Sequence, residues 1–163
     1  MAEISVRNAA SCDAEAVAAL ANMLAVAVGT RAEGDAPMTA EHVRADLIDA
    51  PGLNLVVAER GGEVLGYALY TVAYETAYAS RGVYVSDLAV AEEARRQGVA
   101  RALMRTVAAA AIADGGRYVW WVVAPENAPA KAFYDGLGGV SYPVEARAIF
   151  DAPFEALIAT DSG

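Results

Sequence analysis

A mixed β-sheet with helices on both faces is the architecture this sequence predicts, and three observations predict it. Strand-like and helix-like patterns alternate along the chain. Two apolar runs flank Gly61-Gly62, a two-residue turn that tolerates positive φ and makes a local antiparallel hairpin. A long alanine-rich helical stretch over residues 101–114 lies between two β-rich runs, which makes a crossover.

The elements follow in order. Residues 4–7 alternate and read as a short strand. Ser11 is placed to cap the next helix, and Asp13 and Glu15 favour its positive end. Val17, Leu20, Leu24 and Val28 then recur at helical spacing, and Gly29 ends the helix. Residues 30–38 are polar, contain Gly34 and Pro37, and read as a loop. A second helix starts at a Thr39 cap, carries Val43, Leu47 and Ile48 on one side, and stops at Pro51-Gly52. Residues 53–60 and 63–70 are the hairpin strands. Residues 74–82 read as a polar connection and residues 82–90 as a further strand. The helix of residues 101–114 ends at Gly115-Gly116, and a β-rich run follows over residues 117–123. Residues 129–137 read as a short helix ended by Gly138-Gly139. A last strand near residues 146–150 and a short helix over about residues 153–159 close the chain.

The 163 residues suit a single domain, 1–163, with neither repeat nor linker. Hydrophobic residues at 56% and charged residues at 20% exclude disorder as the main state. One cysteine, Cys12, and one histidine, His42, leave no basis for a disulfide or a zinc cage, so metal is not expected. A net charge of −9 argues against nucleic acid as partner, because phosphate binding needs a basic face. The most apolar window, residues 14–28, is too short to span a membrane and is interrupted by Glu15 and Asn22. With a non-basic start at residues 1–7, a cytoplasmic location is the expectation.

The informative stretch runs from Asp87 to Arg101. A strand ends at Val90, a loop carries Arg95, Arg96 and Gln97, and a helix begins around Gly98, Val99 and Ala100. Small residues there let a ligand approach unpaired N–H groups at the helix start, and two arginines add positive charge. An anion site suited to a pyrophosphate is one reading; a solvated arginine pair before an ordinary helix is the other.

Arg95-x-x-Gly98-x-Ala100 after Leu88-Ala89-Val90 resembles the acetyl-CoA pyrophosphate loop of the GNAT N-acetyltransferase superfamily. A second segment, Asn127-Ala128-Pro129-Ala130-Lys131-Ala132-Phe133-Tyr134-Asp135-Gly136-Leu137-Gly138, is similar to the later part of that family's pattern. The resemblance implies the GNAT fold, an α/β architecture with a central mixed sheet of about six to seven strands flanked on both faces. It also implies acetyl-CoA as cofactor, held by Leu88, Ala89, Val90, Arg95, Arg96, Gln97, Gly98, Val99, Ala100, Arg101, Asn127, Ala130 and Phe133. By itself Phe133 reads as the core face of a short helix, Tyr134 as core face or general acid, and Asn127 equally as a plain cap. Tyr134 stands where the family places its general acid. A homodimer matches the family's habit and the apolar residues late in the chain.

Leu65-Gly66-Tyr67-Ala68-Leu69-Tyr70, Tyr74-Glu75-Thr76 and the run Gly82 to Leu88 resemble the diamine and polyamine branch. That branch carries glutamate where Ser86 stands here, and serine cannot serve as the base. An alkyl ammonium has a pKa near ~10.4 and must lose a proton before it attacks. Glu75 and Asp87 are the candidate proton acceptors, with a water chain ending at a carboxylate as a third route. Glu33, Asp35 and Glu41 would line an entrance suited to a cationic amine, or are simply solvated. The expected function is acetyl transfer to a small primary amine. A protein, peptide or amino-sugar acceptor, or a CoA-binding module without turnover, are the alternatives.

Overall fold

The computed structural model describes residues 3–29 and 36–157. The chain divides into two compact units, residues 1–127 and residues 128–163.

The first unit is built on a five-stranded sheet in the order β1-β2-β3-β4-β5. These are β1 (Ser5–Asn8), β2 (Asn54–Arg60), β3 (Glu63–Glu75), β4 (Ser80–Val90) and β5 (Val119–Trp121). The first four pair antiparallel and β5 joins β4 in parallel, so the sheet is mixed. The helices are α1 (Ala14–Ala27), α2, which is α-helical over Ala40–His42 and π-helical over Val43–Ile48, and α3 (Val99–Ala113). Consecutive residues Leu55, Val56, Val57 and Ala58 of β2 are all buried, as are Leu65, Tyr67, Ala68, Leu69 and Tyr70 of β3. Burial at both parities means both faces of the sheet are covered. α1 and α3 both pack on β3 and β4. Val99, Leu103, Val107 and Ala111 recur every fourth residue along α3 and are all buried. Burying each of the three larger ones contributes about 1.5–3 kcal/mol.

Two glycines set how closely the pieces approach. A Cβ at Gly66 would lie 2.5 Å from the Ala89 carbonyl oxygen, so only glycine fits where β3 crosses β4. The Tyr118 ring lies against Gly82 in the same manner. The hairpin at Gly61 and Gly62, φ 61° and 87°, forms as the sequence predicts.

Several expectations need correction. Ser11 does not cap α1; residues Ser11–Asp13 form a 3-10 turn, and the Asp13 carboxylate accepts from the Ala10 N–H at 2.7 Å. Asp13 also takes both terminal nitrogens of Arg7, at 2.7 and 2.9 Å, while Arg7 bonds Glu59 across the sheet. The guanidinium holds the Asp13 carboxyl below its ordinary value. The expected connection of residues 74–82 is a second hairpin, because β3 and β4 run on to a 3-10 turn at Thr76–Tyr78 with Ala79 at φ 46°. α3 begins at Val99 with Gly98 at its N-cap, where the turn was expected to open it, and β5 is shorter than the β-rich run suggested. α2 does start from the Thr39 hydroxyl, which accepts from the His42 N–H at 3.2 Å.

The second unit holds α4 (Ala128–Asp135) and α5 (Asp151–Ala156). Gly138, φ 84°, and the bond from the Gly139 N–H to the Tyr134 carbonyl end α4. The strand expected near residues 146–150 is absent among the described residues, so the sheet has five strands, short of the expected six to seven. Among the described residues no strand edge pairs with residues 146–150, and an extended run without a partner edge does not become a strand. Among the described residues, no helix is long and apolar enough to cross a membrane.

Candidate functional site

The turn between β4 and α3 is shaped by two left-handed residues. After a 3-10 turn over Glu92–Ala94, Arg96 takes φ 59° and Gly98 takes φ 89°. A non-glycine residue adopts that region at a cost, which marks the turn as specified by its surroundings. Gly98 stands at the N-cap of α3, and a Cβ there would meet open space. Among the described residues, no acceptor takes the N–H groups of Gly98, Val99 or Ala100. Free N–H groups at a helix start, at and after the second of two left-handed residues, suit an anion. Arg95, Arg96 and Arg101 are exposed around this turn, with Arg95 3.6 Å from Glu92. Gln97 contributes only its backbone here, because its side chain bonds Arg60 and the Glu93 carbonyl.

Immediately before this turn, β4 loses its parallel neighbour. Pairing with β5 spans Val83↔Val119, Tyr84↔Trp120 and Val85↔Trp121 and then ends. Leu88, Ala89 and Val90 therefore pair with β3 alone among the described residues. That edge can receive an extended amide chain by strand addition.

Between the paired and unpaired parts of β4 lies a bulge. Leu69 faces Asp87 while Tyr70 faces Val85, so Ser86 is the extra residue. Ser86 is exposed, and its hydroxyl donates to the Leu69 carbonyl at 3.3 Å. Asp87 is half-buried and accepts from the Tyr67 hydroxyl at 3.2 Å. Burial pushes the Asp87 carboxyl above its ordinary value, and the Tyr67 bond works the other way. Burial likewise raises Tyr67 so far that its phenol stays protonated and donates. Sequence reasoning missed Tyr67, since only the strand register brings it to Asp87.

The other candidate acid stands elsewhere. Glu75 is opposite Ser80 at the tip of the β3–β4 hairpin, where its carboxylate accepts from the Ala77 N–H at 3.0 Å. Seven residues of strand separate that tip from Asp87, roughly 20 Å. The two carboxylates do not share a site. Glu41 is exposed at the start of α2, and Glu33 and Asp35 lie outside the described residues.

In the second unit, Tyr134 is half-buried on α4, its ring 5.2 Å from that of Phe133. Burial raises its phenol, which keeps it protonated. Ala130 and Phe133 are half-buried on the same helix. Asn127, the residue before α4, closes a turn from its N–H to the Ala124 carbonyl at 2.9 Å.

Residues 20–138 match the acetyltransferase (GNAT) family. The chain belongs to that family. This GNAT protein is 32% identical to the thialysine N-epsilon-acetyltransferase of Bos taurus over 94 residues, 58% of this chain and 52% of that one. It is 33% identical to an L-ornithine N5-acetyltransferase of Arabidopsis thaliana over 75 residues, 46% of this chain and 33% of that one. The chain thus spans from about a third to about half the length of these relatives. A solved ribosomal-protein-alanine N-acetyltransferase of Brucella melitensis biovar Abortus 2308 superposes with TM-score 0.72 at 15% identity, covering 92% of this chain and 100% of that one. An aminoglycoside acetyltransferase from an uncultured soil metagenomic sample superposes with TM-score 0.70 at 18% identity, covering 91% and 95%. At such identities the two structures speak to the fold alone.

GNAT acetyltransferases use acetyl-CoA as donor. This GNAT chain offers two features of the right chemistry for it, the free N–H groups of residues 98–100 for phosphate and the unpaired β4 edge for amides.

Proposed function

We propose that this chain is an acetyl-CoA-dependent N-acetyltransferase acting on a small, diamine- or polyamine-like primary amine. The observation that carries the reading is the left-handed turn at Arg96 and Gly98, with free N–H groups, next to the open edge of β4 in a GNAT chain. Acetyl-CoA supplies an acetyl group activated as a thioester. Gly98, Val99 and Ala100 hold its pyrophosphate through backbone N–H groups, with Gln97 and Arg101 flanking and Arg95 and Arg96 adding charge. Leu88, Ala89 and Val90 bond its amides along the β4 edge, and Asn127, Ala130 and Phe133 line the arm.

Asp87 takes a proton from the acceptor's ammonium, and the neutral amine then attacks the thioester carbonyl. Its half-burial raises the carboxyl above its ordinary value, which makes the ionised form a stronger proton acceptor. Ser86, exposed in the bulge, orients the acceptor by its hydroxyl. Tyr134 donates to the departing thiolate, and its raised pKa keeps the phenol protonated beforehand. Glu33 and Glu75 add negative charge that attracts a cationic acceptor. The thialysine and ornithine specificities in the names of the two relatives support an acceptor that carries a second charged group. The chain is read as a single domain over 1–163, and the enzyme as a cytoplasmic homodimer.

A thiol-release assay with a panel of amines tests this. Turnover of diamines or of amino acids with a side-chain amine is expected. Turnover only of peptide α-amines or aminoglycosides would replace the acceptor. Coenzyme A binding without turnover on any amine would make the chain a binding module.

A further inference from the structure

The turn before α3 is gripped from β2. Arg60 ends β2 at the Gly61-Gly62 hairpin, and its Nη1 donates to the Gln97 Oε1 at 2.8 Å. The Gln97 Nε2 in turn donates to the Glu93 carbonyl at 2.6 Å. Both ends of this carboxamide are engaged. Gln97 also sits between the two left-handed residues, Arg96 at φ 59° and Gly98 at φ 89°. Arg96 is exposed, so core packing does not impose its conformation. The Arg60 Nε is buried and has no hydrogen-bond partner among the described residues, an arrangement that costs free energy where it stands. A guanidinium kept at that cost, with its Nη1 on the residue that follows the strained, left-handed Arg96 and precedes the left-handed Gly98, has the form of a clamp.

We propose that Arg60 is a positioning residue for the donor site: through Gln97 it holds the turn in the shape that presents the N–H groups of Gly98, Val99 and Ala100. The inference rests on the reading of that turn as the pyrophosphate site. With the clamp, the site is ordered before the ligand arrives. Without it, the ligand must order the turn on binding, and that ordering is taken out of the affinity. Arg60 is remote from the Ser86 bulge, since it stands at the opposite end of the β2–β3 pairing from Tyr70. Its effect falls on donor binding and leaves the chemical step alone.

Calorimetric titration with coenzyme A needs no acceptor and tests the clamp directly. The proteins are wild type, Arg60→Met, Gln97→Met, the double variant and Gly98→Asp, with thermal melts in parallel. Each methionine variant is expected to bind coenzyme A roughly tenfold more weakly, the value of one hydrogen bond with a charged partner. The double variant is expected to lose no more than a single one, because the two side chains act as one unit. Melting temperatures stay near wild type, and Arg60→Met raises KM for acetyl-CoA with kcat unchanged. Should Arg60→Met fail to fold, the exposed Gln97 carries the same test. Wild-type affinity in both methionine variants, with affinity lost in Gly98→Asp, would overturn the clamp and leave the pyrophosphate site standing. Wild-type affinity in Gly98→Asp as well would overturn the site and the clamp with it. Additive losses in the double variant would show Arg60 acting on the anion as a separate charge, which also overturns the clamp.

Discussion

To take a proton, the Asp87 carboxyl must first be ionised, and its burial makes ionisation harder while the Tyr67 bond makes it easier. The acid limb of kcat/KM is therefore expected above the ordinary carboxylate value of 3.8. Asp87→Asn should remove that limb and lower kcat/KM by roughly 10²–10⁴-fold. Tyr67→Phe deletes the bond that favours the ionised form, so the limb should move to higher pH. The same group leaves a mark on stability. A carboxyl raised in the native state contributes stability below its unfolded pKa and loses it as pH rises through the native one. Urea denaturation across that window should show wild type falling in stability relative to Asp87→Asn; parallel curves would contradict the shift. Tyr134→Phe keeps the ring and removes the hydroxyl. As general acid it should cost kcat about 10²-fold with coenzyme A affinity unchanged, whereas a core-filling role costs about 0.5–1.5 kcal/mol of stability and no turnover.

At the scale of elements, two glycines separate packing from binding. Gly66→Ala drives a methyl against the Ala89 carbonyl at the β3–β4 crossing. The expected cost is about 1–3 kcal/mol, read as a fall in melting temperature of several degrees. Gly98→Asp meets open space on the protein side, so its stability cost is limited to the left-handed backbone, about 1 kcal/mol. On the proposed reading its carboxylate would face the bound pyrophosphate, and coenzyme A affinity should fall at least about tenfold. Strong loss of stability with full affinity in Gly98→Asp would mean that the turn serves the fold and not the ligand.

At the scale of the molecule, the second unit exposes a run of large apolar side chains. Val140, Tyr142, Val144, Ile149, Phe150, Phe154 and Leu157 are between 51% and 75% exposed. So much apolar surface on one segment is what a subunit contact covers. Sedimentation at micromolar concentration is expected to show a species of twice the 16.9 kDa chain mass. A single species at the chain mass would reject the dimer.

Residue order alone determined the parts that depend on neighbours in sequence. Gly61-Gly62 needs positive φ and nothing else, so the first hairpin was legible. The alanine-rich run of residues 101–114, closed by Gly115-Gly116, made α3 legible, and Gly98 before it marked the start of the helix. The strand expected at residues 146–150 failed for the complementary reason. A β-rich run becomes a strand only where an edge pairs with it, and pairing is not a local property. The same holds at the bulge. Ser86 and Asp87 are adjacent in sequence, and only the register of β3 against β4 decides that one meets solvent and the other meets Tyr67. Tertiary structure likewise decided that Gln97, read as a ligand contact, has its side chain occupied by Arg60 from β2, 37 residues away. Contacts across such separations are set by how strands are stacked and offset, a choice made by burial over the whole sheet and invisible in any short window of sequence.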